Sequence, residues 1–94
     1  MFVLHVDLKA RSDSSRILED TYREIFRPAI SSQPGFGQVQ LLQSATDQNG
    51  YRLVIAFQDE PSQKAWVATK LHEEVWPKME KNCSSYKVET FQAV

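Results

Sequence analysis

His72 is the side chain of this sequence best suited to moving a proton, because an imidazole titrates near neutrality. It stands one helical step from both Thr69 and Trp76. Two roles suit it: proton acceptor toward a bound substrate, or a half-buried group that ties a helix break to the backbone. Trp66 offers either a flat wall for an aromatic ligand, with an indole N–H in need of a partner, or plain core packing. Trp76 carries the same choice, with core or dimer contact the plainer role. His5 and Asp7 alternate onto one face of an N-terminal strand, and Arg52 falls on the corresponding face of another. Polar groups on a covered sheet face are costly unless paired. These three either line a ligand cavity or form a hydrogen-bond cluster between chains. Cys83 has no base near it in sequence to activate it, which points to a structural thiol. Neither histidine has a second His or Cys at metal-ligand spacing, and no glycine-rich phosphate loop or zinc signature occurs. No metal site is expected.

The elements that must hold these residues follow from periodicity. Phe2, Leu4, Val6 and Leu8 alternate with Val3, His5 and Asp7, which predicts a strand over 2–8. Ser12 to Ser15 supply candidate helix caps. Ile17, Leu18, Thr21, Tyr22, Ile25, Phe26 and Ala29 then form one helical stripe, which Pro28 should kink or end. Pro34-Gly35 marks a turn, and 36–44 reads as a strand. Asn49-Gly50 suits a hairpin with positive φ, followed by a strand over 51–57. Asp59-Glu60-Pro61 opens a helical region running to about Asn82. Thr69 and Pro77 predict two helical pieces, broken between Thr69 and His72. A last strand covers 86–93. The order βαββαβ predicts one α+β domain over 1–94, a ferredoxin-like sandwich with two helices covering one face of a four-stranded antiparallel sheet. The other face is apolar enough, with Val3, Val54 and Leu42, to predict a homodimer that covers it.

Composition narrows the function. The chain has 94 residues, 41% of them hydrophobic, enough for one core and too few for a separate cofactor domain. Eleven basic and 12 acidic residues give a net charge of −1, with no basic cluster for nucleic acid or an anionic membrane. No apolar run approaches the ~18–20 residues that span a bilayer. The apolar start is broken by His5 and Asp7, unlike a secretory signal. A single cysteine fits a reducing cytoplasm.

Several segments are similar to one family. Pro34-Gly35-Phe36, the strand Tyr51-Arg52-Leu53-Val54-Ile55-Ala56-Phe57, and the helical run from Trp66 to His72 with Val75-Trp76-Pro77 resemble the antibiotic biosynthesis monooxygenase-like superfamily of dimeric α+β barrels. The resemblance covers essentially the whole chain and implies that fold and a homodimer. Some members oxidise anthrones or quinols with dioxygen and neither metal nor flavin. The implied logic is that the deprotonated substrate itself passes an electron to oxygen, so no cofactor is expected. Actinorhodin-type members use an Asn, a Trp and a Tyr along this helical segment. Here Trp66 matches the tryptophan, His72 stands at the tyrosine, and Ser62 at the asparagine. Haem-degrading members use a strand-one Asn and an iron-ligating His. Those positions correspond to His5 or Asp7 and to Trp76, which argues against haem chemistry. The expectation is a small aromatic ligand handled by His72, with Trp66, Trp76, His5, Asp7 and Arg52 as binding residues. A non-catalytic ligand-binding barrel is the alternative.

Overall fold

The first strand, β1 (Phe2–Ala10), buries Phe2, Leu4, Val6 and Leu8 on one face and pairs antiparallel on both edges, as its apolar alternation demands. Its partners are β3 (Gly50–Phe57) and β4 (Cys83–Gln92), while β2 (Phe36–Gln43) pairs with β3. The sheet order β2-β3-β1-β4 leaves β2 and β4 as edges. All neighbours are antiparallel, and the helices lie in the expected βαββαβ order. The structure, a computed structural model, describes residues 1–94.

The helical rod after β1 runs over 15–31 in three segments: α1 (Ser15–Thr21), a π-helical turn (Tyr22–Phe26) and α2 (Arg27–Ser31). Pro28 does not end it. The backbone N–H of Arg27 donates to the Tyr22 carbonyl, the wide bonding of a π turn. A proline leaves the carbonyl four residues earlier without its donor and crowds it. The widened turn absorbs that defect just ahead of Pro28, and the helix continues to Ser31. Leu18, Tyr22, Phe26 and Ile30 face the core, whereas Ile17, expected in the same stripe, is 53% exposed. Ser14 occupies the cap position without a side-chain cap bond. The neighbouring Ser15 hydroxyl instead bonds Asn49 Oδ1 at 2.9 Å, pinning the helix start to the β2–β3 loop.

That loop does not use the positive φ predicted at Asn49-Gly50; only Asp13 and Gly35 adopt positive φ. Asp47 organises the turn, accepting from the Asn49 N–H at 3.0 Å on its carboxylate and from the Gly50 N–H at 2.9 Å on its carbonyl. Gly35, at φ +76°, makes the turn into β2, and a Cβ there would lie 2.6 Å from Ser62 Oγ. Only glycine tolerates both conditions. Its carbonyl accepts from the Gln58 N–H at 2.8 Å, so this turn braces the start of the next helix.

Two helices follow, α3 (Glu60–Val67) and α4 (Lys70–Glu80). Asp59 caps α3 by accepting from the Ser62 N–H at 2.9 Å. The break falls at 68–69, meeting the expected window only at Thr69 because its hydroxyl caps α4 and leaves His72 inside the helix, and Pro77 is carried inside α4. The core joins β1, β3 and the inner stripes of all the helices. On the opposite sheet face, Val3 and Val54 are half-buried while Leu42 and Phe91 are exposed. No helix is long and apolar enough to cross a membrane.

Candidate active site

Thr69 sets the geometry of the site. It is the N-cap of α4, and its hydroxyl accepts from the His72 N–H at 3.1 Å. The same hydroxyl donates to the Trp66 carbonyl at 2.7 Å. One oxygen therefore closes α3 and opens α4, fixing Trp66 and His72 relative to each other. Their rings meet edge to face, with centroids 5.1 Å apart and planes at 85°.

Each helix presents its own stripe. Gln63, Trp66 and Val67 occupy one side of α3, at the three- and four-residue spacing of a helix face. His72, Val75, Trp76 and Met79 form the inner stripe of α4. Val75 and Met79 are buried, whereas His72 and Trp76 are half-buried on the border of the stripe. Between these helices and the sheet lies a cavity of about 230 Å³, open on one side. Its floor is Leu4, Val6, Leu53 and Ile55, and its wall is Phe26, Trp66, His72 and Trp76. Val88 and Tyr86 of β4 complete it; they are 47% and 45% exposed and form its rim.

The aromatic wall is continuous. Trp66 packs on Phe26 at 6.2 Å, Phe26 on Trp76 at 6.3 Å, and Trp76 on Tyr86 at 5.3 Å, all edge-on. Such interlocked edges resist ring rotation, so the wall is preorganised. Burial pushes the His72 imidazole below its usual value, and the nearby Glu73 carboxylate only partly opposes this. His72 is thus neutral at neutral pH. Its ring makes no hydrogen bond to the rest of the protein, so a nitrogen lone pair is free to accept a proton.

Three expected site residues, Trp66, His72 and Trp76, come together here. The other three do not. His5, Asp7 and Arg52 stand on the opposite face of the sheet, away from this cavity. There Arg52 Nε donates to Asp7 Oδ1 at 2.7 Å, and the Arg52 guanidinium holds the Asp7 carboxyl below the usual carboxylate range. His5 lies against Phe91, with ring centroids 4.8 Å apart. Ser62 is also absent from the cavity. It turns toward Gly35, and its hydroxyl takes a bond from the Gln58 amide at 3.4 Å. The neighbouring Gln63 lines the cavity in its stead. Gln63 and Tyr86 are the polar groups that sequence reading missed. The i,i+3 relation of Gln63 to Trp66 was the available signal for one. Tyr86 is visible only once the pairing Leu8↔Tyr86 places it on the helix-bearing face. Cys83 is buried, its thiol donates toward the Met79 carbonyl at 3.6 Å, and burial pushes its pKa up, as befits a structural residue. No group of three or more His, Cys, Asp or Glu side chains is placed to hold a metal ion.

Solved structures share this architecture. A Nitrosomonas europaea protein named for the antibiotic biosynthesis monooxygenases superposes with a TM-score of 0.86 at 19% identity, covering 100% of this chain and 99% of that one. A variant of SnoaB, a cofactor-independent oxygenase from Streptomyces nogalater, gives 0.87 at 14% identity over 98% and 91% of the two chains. A Deinococcus radiodurans protein, named as the first is, gives 0.87 at 10% identity over 100% and 93%. At these identities the likeness establishes a shared fold. No curated protein matches the sequence. The family described as antibiotic biosynthesis monooxygenase matches residues 1–76, which include β1, Trp66, His72 and Trp76. The chain belongs to the antibiotic biosynthesis monooxygenase family.

Proposed function

We propose that this protein is a cofactor-independent monooxygenase acting on a small phenolic substrate of the quinol or anthrone type. The observation that carries the reading is a neutral, half-buried His72 with a free nitrogen, set in the wall of an apolar cavity. His72 takes the acidic proton of the substrate. The resulting anion, rich in electrons, reduces dioxygen by one electron, and the two radicals combine at the ring carbon. The His72 imidazolium returns its proton to the peroxide anion so formed, and loss of water then leaves a carbonyl at that carbon. One oxygen atom enters the product and the other leaves as water, and the substrate supplies all the electrons. The protein's share is proton transfer, positioning and exclusion of bulk water. The imidazolium formed beside the anion stabilises it, and the low polarity of the wall strengthens that pairing.

The same reading includes a homodimer through the open sheet face. Val3, Val54 and Ala56 supply the apolar centre, with Phe91 and Leu42 around it. His5, Asp7 and Arg52 belong in this reading to the dimer contact, where a paired polar cluster sets register between the copies. The decisive experiment measures oxygen uptake with a panel of dihydroxyaromatics and anthrones. Replacing His72 by Ala is expected to slow turnover by about 10²–10⁴-fold, the usual contribution of a positioned base. Equal rates in wild type and His72→Ala would remove His72 from the mechanism. Tight binding with no oxygen uptake across the panel would establish a binding protein instead.

A further inference from the structure

The cavity's volume and its few polar groups together define what fits it. We infer that its ligand is a neutral hydroxyarene of one or two fused rings, held at one oxygen by the Gln63 amide and at another by His72. This rests on the reading of the cavity as the active site, narrows it from quinols or anthrones to the smaller quinol type, and adds the size, charge and polar contacts of the molecule inside.

Size comes first. A dry apolar cavity of ~150 Å³ is enough for one benzene ring. The space here, about 230 Å³, takes one substituted ring or two fused ones. It falls short of the ~300 Å³ at which pockets for drug-sized ligands begin. A third ring would pass the rim at Tyr86 and Val88 and lie in solvent, where it gains no burial.

Charge comes next. No Lys, Arg, Asp or Glu lines the cavity. An anionic ligand would lose its hydration with no cation to replace it. The charge that His72 feels is the negative Glu73, which opposes an anion further. The aromatic wall meets edge to face, ring against ring, and encloses no open cage of ring faces for a cation.

Polarity is the third limit. Besides the indole N–H groups of Trp66 and Trp76, which can only donate, the polar side-chain groups of the lining are Gln63, His72 and the Tyr86 hydroxyl. Tyr86 sits on the rim, which leaves Gln63 and His72 as the interior groups able to fix a ligand's oxygens. The Gln63 carboxamide can donate to a carbonyl or phenolate oxygen, and His72 can accept from a hydroxyl. A ligand with one oxygen for each, on a flat apolar body, gives both groups a partner.

The test uses the chain's two tryptophans, both of which line the cavity. Their indole N–H signals are followed by NMR while a naphthol that carries a second hydroxyl, the matching hydroxynaphthoate, naphthalene, a three-ring anthrol and tetramethylammonium are titrated in turn. The naphthol is expected to shift both signals saturably, with the naphthoate weaker by about tenfold or more. Gln63→Leu is expected to weaken the naphthol about threefold to tenfold, the worth of one hydrogen bond, while naphthalene stays within about twofold. Naphthalene thereby reports that the variant's cavity is intact. Equal binding of naphthoate and naphthol overturns the inference. So does a saturable shift by tetramethylammonium, or an anthrol bound about tenfold more tightly than the naphthol. Parallel loss of naphthol and naphthalene in Gln63→Leu overturns the role given to Gln63. If the naphthol binds as expected but no hydroxyarene drives oxygen uptake, the ligand class stands and the monooxygenase reading falls.

Discussion

Replacing Thr69 by Ala tests whether one hydroxyl holds the site together. That hydroxyl makes two bonds across the break between α3 and α4: it accepts from the His72 N–H at 3.1 Å and donates to the Trp66 carbonyl at 2.7 Å. Loss of a Thr N-cap costs about 1 kcal/mol. A second, partly buried hydrogen bond contributes about 1 kcal/mol more. Both run through one oxygen, so they are coupled and the sum is an upper bound. The expected loss is therefore about 1–2 kcal/mol. For a domain of this size that lowers Tm by roughly 4–16 °C. Thr69→Ser keeps the hydroxyl and should recover most of it, whereas Thr69→Val keeps the shape and should not. Urea unfolding followed by Trp fluorescence gives the stability difference. Oxygen uptake on the same samples, below their unfolding midpoints, should show a lower kcat for the Ala and Val variants, because His72 loses its register against Trp66. Stability of Thr69→Ala within about 0.5 kcal/mol of wild type, the spread of ordinary surface changes, would refute the argument. So would Thr69→Val behaving like Thr69→Ser.

Three further outcomes follow from the charge and surface arrangement. Because burial holds the His72 pKa below the usual 6.5, its basic form persists into mildly acidic solution, and the acid limb of kcat/KM should have its midpoint below pH 6.5. The unfolded chain binds that proton more readily, so the stability contribution is complete above about pH 6.5 and is lost as pH falls toward the lower folded value. His72→Gln should flatten both profiles, and an unchanged acid limb in that variant would assign it to another group. Light scattering of the wild type at micromolar concentration should give about twice the monomer mass of 10.8 kDa, and Val54→Glu, which puts a charge at the centre of the open sheet face, should give the monomer mass with unchanged far-UV circular dichroism. A wild type at the monomer mass would refute the dimer.

Much of the fold was legible because its causes are local. The alternation of Phe2, Leu4, Val6 and Leu8 is a period of two, and it marks both the strand and the face that is buried. The stripe His72, Val75, Trp76 and Met79 is a period of 3.6, and it brings His72 and Trp76 to one side of α4. Thr69 announced the break, since a β-branched residue with a hydroxyl serves better as a cap than inside a helix. Parity also contained the separation of His5 and Asp7 from the cavity. Both fall on the odd positions of β1, and the helices cover the even ones. Other features depended on contacts distant in sequence. Pro28 reads as a kink or an end, and a wide turn before it lets the rod run on because Phe26 and Ile30 have a core to fill. Asn49-Gly50 reads as a primed turn, yet the Asp47 carboxylate and its Lys9 partner hold the loop in another form.

Sequence by itself determined the elements, their order, the covered face of the sheet and a short helical break between Trp66 and His72. Each of these follows from the type and spacing of residues close along the chain. Only the tertiary structure decided that a cavity exists and which polar groups enter it. Gln63 rather than Ser62 faces inward because Gly35, brought from a distant turn, packs against Ser62. Tyr86 and Val88 form a rim because α4 leaves the helix-bearing side of the edge strand β4 largely uncovered. A cavity is the space left between elements, and its shape is set by how rigid helices settle on a twisted sheet. No single segment carries that information.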